Sequence, residues 1–215
     1  MNHLIFEDLG IIDYEIALQI QQKYFDENIY NILNGLETID RILFCQHPAV
    51  YTIGKNGDAQ NLLSTASDAK LFQTNRGGDI TFHGLGQWVV YPILNLEKRN
   101  MGLAKYVEIL EQIGIDICSQ YAIRADRSEG ESGVWIDINH ATARKIMAIG
   151  IKASRKITMH GLAFNVNTNL QYFENIIPCG IRGKSVTSLA VECQRTIDMD
   201  EVKDKFTTAF KNYFH

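Results

Sequence analysis

Cys179 is a candidate nucleophile because it lies between Pro178 and Gly180 in this sequence. A Pro-Cys-Gly sequence is typical of a turn, where the sulfur atom can be exposed and backbone N–H groups can bind an oxyanion. A nearby cation lowers the pKa of a thiol from ~8.5 and produces the thiolate, which is the nucleophilic form. Such a turn taken alone is more often structural than catalytic, so the pattern leaves both alternatives open.

A glycine-rich stretch, RGGDITFHGLGQ at residues 76–87, is the second candidate site. Its glycines let the backbone approach a ligand closely, and Arg76 and His83 supply hydrogen-bonding side chains. The glycine spacing differs from that of a dinucleotide-binding loop, and the stretch lacks the Gly-Lys-Ser/Thr of a phosphate-binding loop. A plain hairpin turn explains the same glycines equally well.

Two predicted strands, 145–153 and 158–167, carry small residues at alternate positions of one face: Ala148 and Gly150 on the first, Gly161 and Ala163 on the second. Small side chains on neighbouring strands leave a groove that could admit a linear aliphatic group, although close packing of a helix explains them as well. Lys145 has the opposite parity to Ala148. Its ammonium group therefore reaches this face only if the strand begins after Lys145 or bends.

Three helices are expected to position these candidates, because apolar residues recur three or four positions apart near 13–33, 103–121 and 198–214. We expect Asp13 to cap the start of the first helix and Gly35 to follow its end at the C′ position. Asp198 and Glu201 have the spacing of a capping box at the start of the last helix.

Further strand-like runs occupy residues 41–46, 49–53, 79–83, 88–96 and 133–138. Pro92, within one of these runs, predicts an edge strand or a bulge. Because strands and helices mix without a regular βαβ rhythm, the sequence predicts an α+β fold with a mixed or mostly antiparallel sheet flanked by helices. The length of 215 residues suits a single domain, 1–215.

The composition is that of an ordinary globular protein, with 46% hydrophobic and 21% charged residues, which excludes a disordered or coiled-coil chain. The formal charge of −4 argues against a nucleic-acid-binding protein. No apolar stretch approaches the ~20 residues of a membrane span, and no export signal is recognisable. We therefore expect a cytoplasmic protein.

The other three cysteines, Cys45, Cys118 and Cys193, are widely spaced, which predicts reduced thiols and no metal or dithiol site. The charge, in contrast, is uneven along the chain. Residues 140–190 hold seven basic residues and one acid, a net +6 within an acidic protein. This basic stretch is either solvated surface or a docking face for acidic partners.

In combination, the motifs resemble those of the lipoyl(octanoyl) transferase family. In chain order they are R-G-G-x-x-T-x-H-G-x-G-Q from Arg76, K-I-x-A-I-G from Lys145, H-G-x-A-x-N-x-N from His160, P-C-G around Cys179 and V-T-S-L from Val186. Two positions depart from the family pattern, because Leu85 replaces the usual proline and Phe82 replaces a frequent tyrosine. Neither change removes a catalytic group.

The resemblance implies that Cys179 accepts the acyl group and that Lys145 activates it. It also implies a fold like that of the biotin–lipoate protein ligases and an acyl site lined by Arg76, Gly77, Gly78, Asp79, Ile80, Thr81, Phe82, His83, Ala148, Ile149, Gly150, Gly161, Leu162 and Ala163. The implied reaction moves an octanoyl or lipoyl group from an acyl carrier protein thioester to a lysine of a lipoyl domain. It proceeds through acyl-Cys179, without a cofactor or a metal ion.

The implied acceptors are the lipoyl domains of 2-oxoacid dehydrogenase E2 subunits and the glycine cleavage H protein, and we expect a monomer without nucleic-acid or membrane partners. Acyl carrier proteins and lipoyl domains tend to be acidic, so docking could be steered by Arg144, Lys152, Arg155, Lys156, Arg182 and Lys184. Two alternatives stay open: an ATP-dependent lipoate ligase, and a non-catalytic acyl-binding protein of the same fold.

Overall fold

The computed structural model describes residues 4–64, 68–177 and 185–214. The candidate nucleophile Cys179 and two of the basic residues, Arg182 and Lys184, lie outside the described residues. The strands of the described part are β1 (Leu4–Ile11), β2 (Asp40–Gln46), β3 (Val50–Ile53), β4 (Lys70–Gln73), β5 (Thr81–His83), β6 (Gln87–Ile93), β7 (Ala125–Ser128), β8 (Glu131–Ile136), β9 (Arg144–Ser154), β10 (Ile157–Asn165) and β11 (Ser185–Val186). The helices are α1 (Tyr14–Leu33), α2 (Leu103–Ser119), α3 (Leu189–Cys193) and α4 (Met199–Phe214).

The larger of two sheets has the strand order β1-β2-β6-β10-β9-β8-β7, with β11 added beside β9. β1 runs parallel to β2, and β11 runs parallel to β9, whereas the other described neighbours in this sheet are antiparallel. The smaller sheet has the order β4-β3-β5. The predicted α+β fold with a mixed, mostly antiparallel sheet is therefore confirmed.

The helices cover the two faces of the larger sheet unequally. Apolar side chains of α2 and α4 pack on one face and form the largest core cluster, which includes Leu110 and Phe206. Ala17 and Phe25 of α1 pack on the other face, against β2, β6 and β10. Helix α1 contacts β6 and β10, so the part of this face that extends across β9 and β8 is left for other elements to cover.

The predicted helix ends agree with the structure except in their side-chain caps. Helix α1 ends at Leu33 and Gly35 has a φ of +67°, as expected for a glycine that follows a helix end. Asp13 precedes α1, but its side chain makes no capping hydrogen bond. At the start of α4, Asp198 Oδ1 accepts a hydrogen bond from the Asp200 N–H at 2.8 Å. The Glu201 N–H also donates to Asp198 Oδ1, at 3.4 Å, which is one half of the predicted capping box. The carboxylate of Glu201 instead accepts a hydrogen bond from the Tyr121 hydroxyl, so the box is not closed.

The expectation that Pro92 marks an edge strand was wrong. β6, which contains Pro92, lies in the interior of the larger sheet between β2 and β10, so it is not an edge strand. The continuous β6–β10 pairing ends at Leu162 and Val90, before the position of Pro92, and His160 there has a φ of +59°. The sequence also gave no sign of β7, which forms the far edge of the sheet. No helix among the described residues is long and apolar enough to cross a membrane.

Candidate active site

A cavity of about 400 Å³ lies on the face of the larger sheet that α1 covers only in part. Its floor is formed by alternate residues of three neighbouring strands. Gln87 and Asn165 form one cross-strand pair, while Val89, Ala163 and Ala148 form an apolar row that crosses β6, β10 and β9. The next row contains the directly paired Gly161 and Gly150. The predicted groove between small residues is thus present and borders a cavity.

A β-bulge brings Lys145 to the same cavity as Ala148. Val134 of β8 pairs with Met147 of β9, but the next residue, Trp135, pairs with Lys145, so β9 has one extra residue at this point. As a result, Ile146 and Met147 both pack in the core on the opposite face. The strand therefore bends. Such a bend is one of the two conditions under which the ammonium group of Lys145 was expected to reach this face.

Lys145 is buried at this bend, and its Nζ atom lies 4.5 Å from the centroid of the Trp135 ring. Its backbone carbonyl accepts a hydrogen bond from the Thr187 N–H at 3.0 Å. Val186 pairs with Lys145 across β9 and β11 and also lines the cavity. The chain that follows the segment 178–184 is therefore fixed directly beside Lys145.

The roof of the cavity includes the stretch that begins at Arg76. The guanidinium of Arg76 is buried and donates to the Thr52 carbonyl at 2.6 Å, the Thr52 hydroxyl at 2.8 Å and the Gly77 carbonyl at 3.0 Å. Asp79 holds the preceding loop, because its carboxylate accepts from the side chain of Asn61 at 2.6 Å and from the backbone of Ile80 at 2.7 Å. These contacts join the glycine-rich stretch to the smaller sheet.

Most of the site residues that the sequence singled out line the cavity: Arg76, Gly78, Asp79, Ile80, Thr81, His83, Lys145, Ala148, Ile149, Gly150, Gly161, Leu162 and Ala163. Gly77 and Phe82 are not among the lining residues. Gly77 donates its backbone N–H to Ile151 at 2.8 Å, and Phe82 is buried in a separate cluster, stacked on Tyr172 with ring centroids 4.5 Å apart. Cys179 lies outside the described residues.

A chain of hydrogen bonds crosses the polar side of the cavity floor. His83 Nδ1 donates to Gln87 Oε1 at 2.8 Å, Gln87 Nε2 donates to Asn165 Oδ1 at 2.8 Å, and Asn165 Nδ2 donates to the Thr187 carbonyl at 3.0 Å. Burial, assisted by the nearby His47, lowers the pKa of His83 to about 3, so its imidazole is neutral at ordinary pH. This chain connects the glycine-rich stretch to the strand that pairs with Lys145.

Several lining residues were not assigned to the site from the sequence. Gln87 and Asn165 belong to the quoted motifs, so the motifs contained a signal for them. Tyr14 lies on α1, far from those motifs in the chain, and no residue spacing indicates it. Tyr91 lies on β6 four residues after Gln87, and strand alternation places it on the same face as Gln87 and Val89. His160 lines the cavity, donates from Nε2 to Asn75 Oδ1 at 2.9 Å, and has its pKa lowered to about 3 by burial. Within the described ranges there is no group of three or more His, Cys, Asp or Glu side chains that could bind a metal ion.

The fold and the cavity define the class of protein to which the chain is similar. A lipoate protein ligase from Thermoplasma acidophilum superposes with a TM-score of 0.72 at 15% identity, over 99% of this chain and 84% of that one. Biotin protein ligase from Aquifex aeolicus, solved with biotin and ATP, superposes with a TM-score of 0.57 at 14% identity, over 99% of this chain and 70% of that one. The expected biotin–lipoate protein ligase-like fold is therefore confirmed.

Sequence comparison narrows this class to a family. Residues 13–211 match the lipoyl protein ligase A/B catalytic domain, and the chain belongs to this family. An octanoyltransferase from Christiangramia forsetii is 48% identical over an alignment of 219 positions, which covers 96% of this chain and 94% of the relative. An octanoyltransferase from Bacteroides fragilis is 47% identical over 206 residues, which cover 94% of this chain and 93% of the relative.

Proposed function

We propose that this protein is an octanoyltransferase that moves an octanoyl or lipoyl group from an acyl carrier protein thioester to a lysine amine of a lipoyl domain. The observation that carries the proposal is the similarity, at 48% and 47% identity over nearly the whole chain, to relatives named octanoyltransferase. The cavity is consistent with it, because an apolar row of Ala148, Ala163 and Val89 lies beside the ammonium-bearing Lys145. Binding of a linear acyl chain requires the apolar row, and activation of a thiol requires a cation such as the ammonium group of Lys145.

Cys179 is proposed as the residue that carries the acyl group. The segment 178–184 joins two anchored ends: the Ile177 N–H donates to the Asn61 carbonyl at 2.8 Å, and Ser185 pairs with Arg144. Phe173 precedes this segment, Val186 follows it, and both line the cavity. Together with the Pro-Cys-Gly motif, these positions support Cys179 as the nucleophile.

In the proposed first step, the ammonium of Lys145 stabilises the thiolate of Cys179, which attacks the carbonyl carbon of the octanoyl thioester. A new carbon–sulfur bond forms, and the negative charge moves to the carbonyl oxygen of a tetrahedral intermediate, where backbone N–H groups can stabilise it. Collapse of this intermediate breaks the bond to the carrier sulfur. The carrier thiolate leaves, and acyl-Cys179 remains.

In the second step, the lysine amine of the lipoyl domain must lose a proton, because its ordinary pKa is ~10.4 and only the neutral amine attacks. Once Cys179 is acylated, Lys145 has lost its anionic partner and can release its own proton to the departing carrier thiolate. The incoming ammonium group loses one proton to water, and the resulting neutral amine attacks the thioester carbonyl. Lys145 accepts the second proton from the attacking nitrogen as the amide bond forms, and the Cys179 sulfur leaves as a thiolate that pairs with the Lys145 ammonium. Neither step consumes a nucleotide.

We propose octanoyl-acyl carrier protein as the donor, and the lipoyl domains of 2-oxoacid dehydrogenase E2 subunits and the glycine cleavage H protein as acceptors. Of the six residues expected to steer docking, Arg144 is engaged within the protein, because it forms ion pairs with Glu192 at 2.6 Å and with Asp137. Arg155 and Lys156 are exposed at the turn between β9 and β10 and are the better candidates.

The test is intact-mass measurement after mixing the protein with octanoyl-acyl carrier protein in the absence of nucleotide. The wild-type protein should gain one octanoyl group, and the adduct should be removed by hydroxylamine because it is a thioester. Cys179→Ser should show no such adduct. Cys193→Ser is the matched control, because Cys193 is a half-buried free cysteine in the described part of the chain, and it should still be acylated.

Each alternative predicts a different result. An ATP-dependent ligase would modify the lipoyl domain only when nucleotide and free octanoate are supplied, and Cys179→Ser would retain that activity. A non-catalytic acyl-binding protein would bind octanoate without transferring it. An adduct that survives in Cys179→Ser would contradict the proposed nucleophile.

A further inference from the structure

The cavity has an open end and a closed end, and we propose that Tyr14, Tyr91 and His160 at the closed end set the longest acyl chain that the site accepts. This inference rests on the proposed function, because it concerns the acyl group that is transferred. It adds a property that octanoyl transfer does not itself require, since a cavity open at both ends could support the same chemistry.

The exposure of the lining residues shows which end is closed. Gly78, Gly130 and Ser132, which border the cavity beside β8 and the glycine-rich stretch, are exposed to solvent. At the other end, Tyr14 and Tyr91 are each 4% exposed. His160 is 2% exposed. An acyl chain therefore enters beside β8 and β9 and extends towards β6 and α1.

Each of the three closing side chains is held by contacts with other side chains. The Tyr14 ring, on the first turn of α1, lies 5.4 Å from the His47 ring and stacks on the His83 ring at 6.1 Å. The Tyr91 hydroxyl bonds to His47 Nε2 at 2.8 Å. His160 bonds to Asn75. His47 and His83 are themselves buried, so Tyr14 and Tyr91 cannot move aside without breaking these contacts.

The closed end is also polar, which disfavours a longer aliphatic chain. His160 lines this end of the cavity, and within the described part of the chain its buried Nδ1 has no hydrogen-bond partner. Gln21 lies beside it, because Gln21 Oε1 accepts a hydrogen bond from the His160 N–H at 3.1 Å. A methylene group placed against the His160 nitrogen cannot hydrogen-bond to it, so a longer aliphatic chain would meet a polar surface there.

The apolar part of the cavity has a length that matches the proposed substrate. The row from Ala148 through Ala163 to Val89 crosses two strand spacings, about 10 Å in total. An extended eight-carbon chain is about that long. The next residue of β6 on the cavity face after Val89 is Tyr91, so a longer chain would extend towards the closed end.

The test compares octanoyl and decanoyl donors with variants that enlarge the closed end from two different elements. Tyr14→Leu shortens the side chain on α1 and keeps it apolar. His160→Asn shortens the side chain on β10 and suits the left-handed backbone there, since His160 has a φ of +59°. Tyr14→Phe keeps the ring and serves as the first control. Tyr106→Leu is the second control, because Tyr106 is fully buried in the core on the opposite face of the sheet.

The measured quantity is the ratio of kcat/KM for decanoyl transfer to that for octanoyl transfer. Two more buried methylene groups are worth roughly tenfold, so the ratio should rise by about that factor in Tyr14→Leu and in His160→Asn. It should stay within roughly twofold of wild type in Tyr14→Phe and Tyr106→Leu. A ratio that stays within roughly twofold in either enlarged variant, or that rises equally in Tyr106→Leu, overturns the inference.

Calorimetric binding of free octanoate and decanoate separates this inference from the proposed function. If the wild-type protein transfers no octanoyl group but the affinity ratio of the two acids shifts in the enlarged variants, the proposed function fails and the closed end is supported. If transfer occurs but neither ratio shifts, the proposed function stands and the closed end is overturned. If neither is observed, both are overturned.

Discussion

Lys145 and Ala148 face the same cavity although their positions on β9 have opposite parity. The extra residue of the bulge places Ile146 and Met147 together in the core and so turns Lys145 towards the apolar row that begins at Ala148. A regular strand would direct the ammonium of Lys145 to the opposite face, among the apolar side chains of α2 and α4. The bulge is thus the feature that joins a cation to an acyl-binding groove.

Replacing Lys145 should slow acylation of the protein by octanoyl-acyl carrier protein. Lys145→Met keeps the length of the side chain and removes the charge, so we expect a loss of roughly 10²- to 10⁴-fold in the acylation rate near neutral pH. Part of the rate should return as the pH approaches the ordinary thiol pKa of ~8.5, because the thiolate then forms without help from a cation. Rapid-quench intact-mass measurement reports this rate directly.

Lys205→Met is the matched control for Lys145→Met. Lys205 also places an ammonium group over an aromatic ring, 5.3 Å from the centroid of Tyr121, but it lies on α4 outside the cavity. The control should acylate at the wild-type rate. Equal losses in the two variants, or a Lys145→Met rate that does not recover with pH, would show that Lys145 does not activate the thiol.

The bulge also marks the limit of what the sequence could predict about the site. Period-two alternation predicted that Ala148 and Ala163 share a groove, and their direct pairing agrees with it. The same alternation left the side of Lys145 open, because a bulge depends on pairing with β8, and Trp135 gives no local sign of it. Residue spacing in one strand cannot reveal where its partner strand slips by one residue.

Adding a methyl group at glycines near the site should destabilise the protein in a graded order. A Cβ at Gly161 would lie 2.1 Å from the Val90 carbonyl oxygen, which is backbone and cannot move aside. A Cβ at Gly150 would lie 2.9 Å from Arg76 Cδ and from the Gly77 carbonyl oxygen. Among the described residues, no atom lies within 4 Å of a Cβ added at Gly102. Overpacking typically costs about 1–3 kcal/mol, so we expect Gly161→Ala to lose the most, then Gly150→Ala, then Gly102→Ala.

Urea unfolding of the three alanine variants measures this order. Gly150→Ala should also weaken octanoate binding, because its new methyl group displaces Arg76, which lines the cavity. Gly102→Ala should bind octanoate as the wild type does. A Gly150→Ala protein with unchanged affinity would show that the position of the Arg76 loop does not matter for the ligand.

The stability of the protein should fall when the pH drops below about 6.5, the ordinary pKa of histidine. Burial lowers the pKa of His83 and of His160 to about 3, and burial also lowers the pKa of His47. Between these values the unfolded chain binds protons that the folded protein does not bind, so acid favours unfolding. Each such histidine contributes up to about 1.4 kcal/mol per pH unit to the slope.

Urea unfolding at several pH values between about 5 and 8.5 tests this dependence. His83→Gln should reduce the slope of the unfolding free energy against pH below pH ~6.5 by the contribution of about one bound proton, because one buried neutral imidazole has been removed. Above pH ~7.5 the slopes of the variant and the wild type should coincide, since histidine is then neutral in both states. An unchanged slope at low pH would mean that His83 is protonated in the folded protein.

The smaller features of the fold show why the sequence predicted some elements and missed others. Helices α2 and α4 have long apolar stripes, so the periodicity of their apolar residues was sufficient to predict both helices. β7 is only four residues long and half-exposed, and its sequence, ADRS, lacks the residues that favour strands. Pro92 lacks a backbone N–H, which indicated an edge strand. The β6–β10 pairing ends before this proline, however, so an interior strand accommodates it. The structure of β7 and of the strand around Pro92 therefore depends on pairing with neighbouring strands.

Reversing the charge at the turn between β9 and β10 should weaken docking of the acidic donor and leave the chemistry intact. Arg155 and Lys156 are exposed and both have positive φ values, 48° and 63°, which aspartate and asparagine tolerate. The double variant Arg155→Asp, Lys156→Asp should raise the KM for octanoyl-acyl carrier protein by roughly tenfold or more at low salt. Its rate with a small octanoyl thioester should not change, and the doubly asparagine-substituted protein should fall between it and the wild type.

Arg144→Gln provides the contrast, because Arg144 is tied to Glu192 and Asp137 and lies beside β11. Glu192 also accepts a hydrogen bond from the Thr187 hydroxyl at 2.6 Å, so loss of Arg144 should disturb the strand that pairs with Lys145. We expect equal losses with the carrier-protein donor and the small thioester, and little dependence on salt. If the β9–β10 turn variant behaves in that way as well, then its residues act through the structure, and electrostatic docking at this turn is refuted.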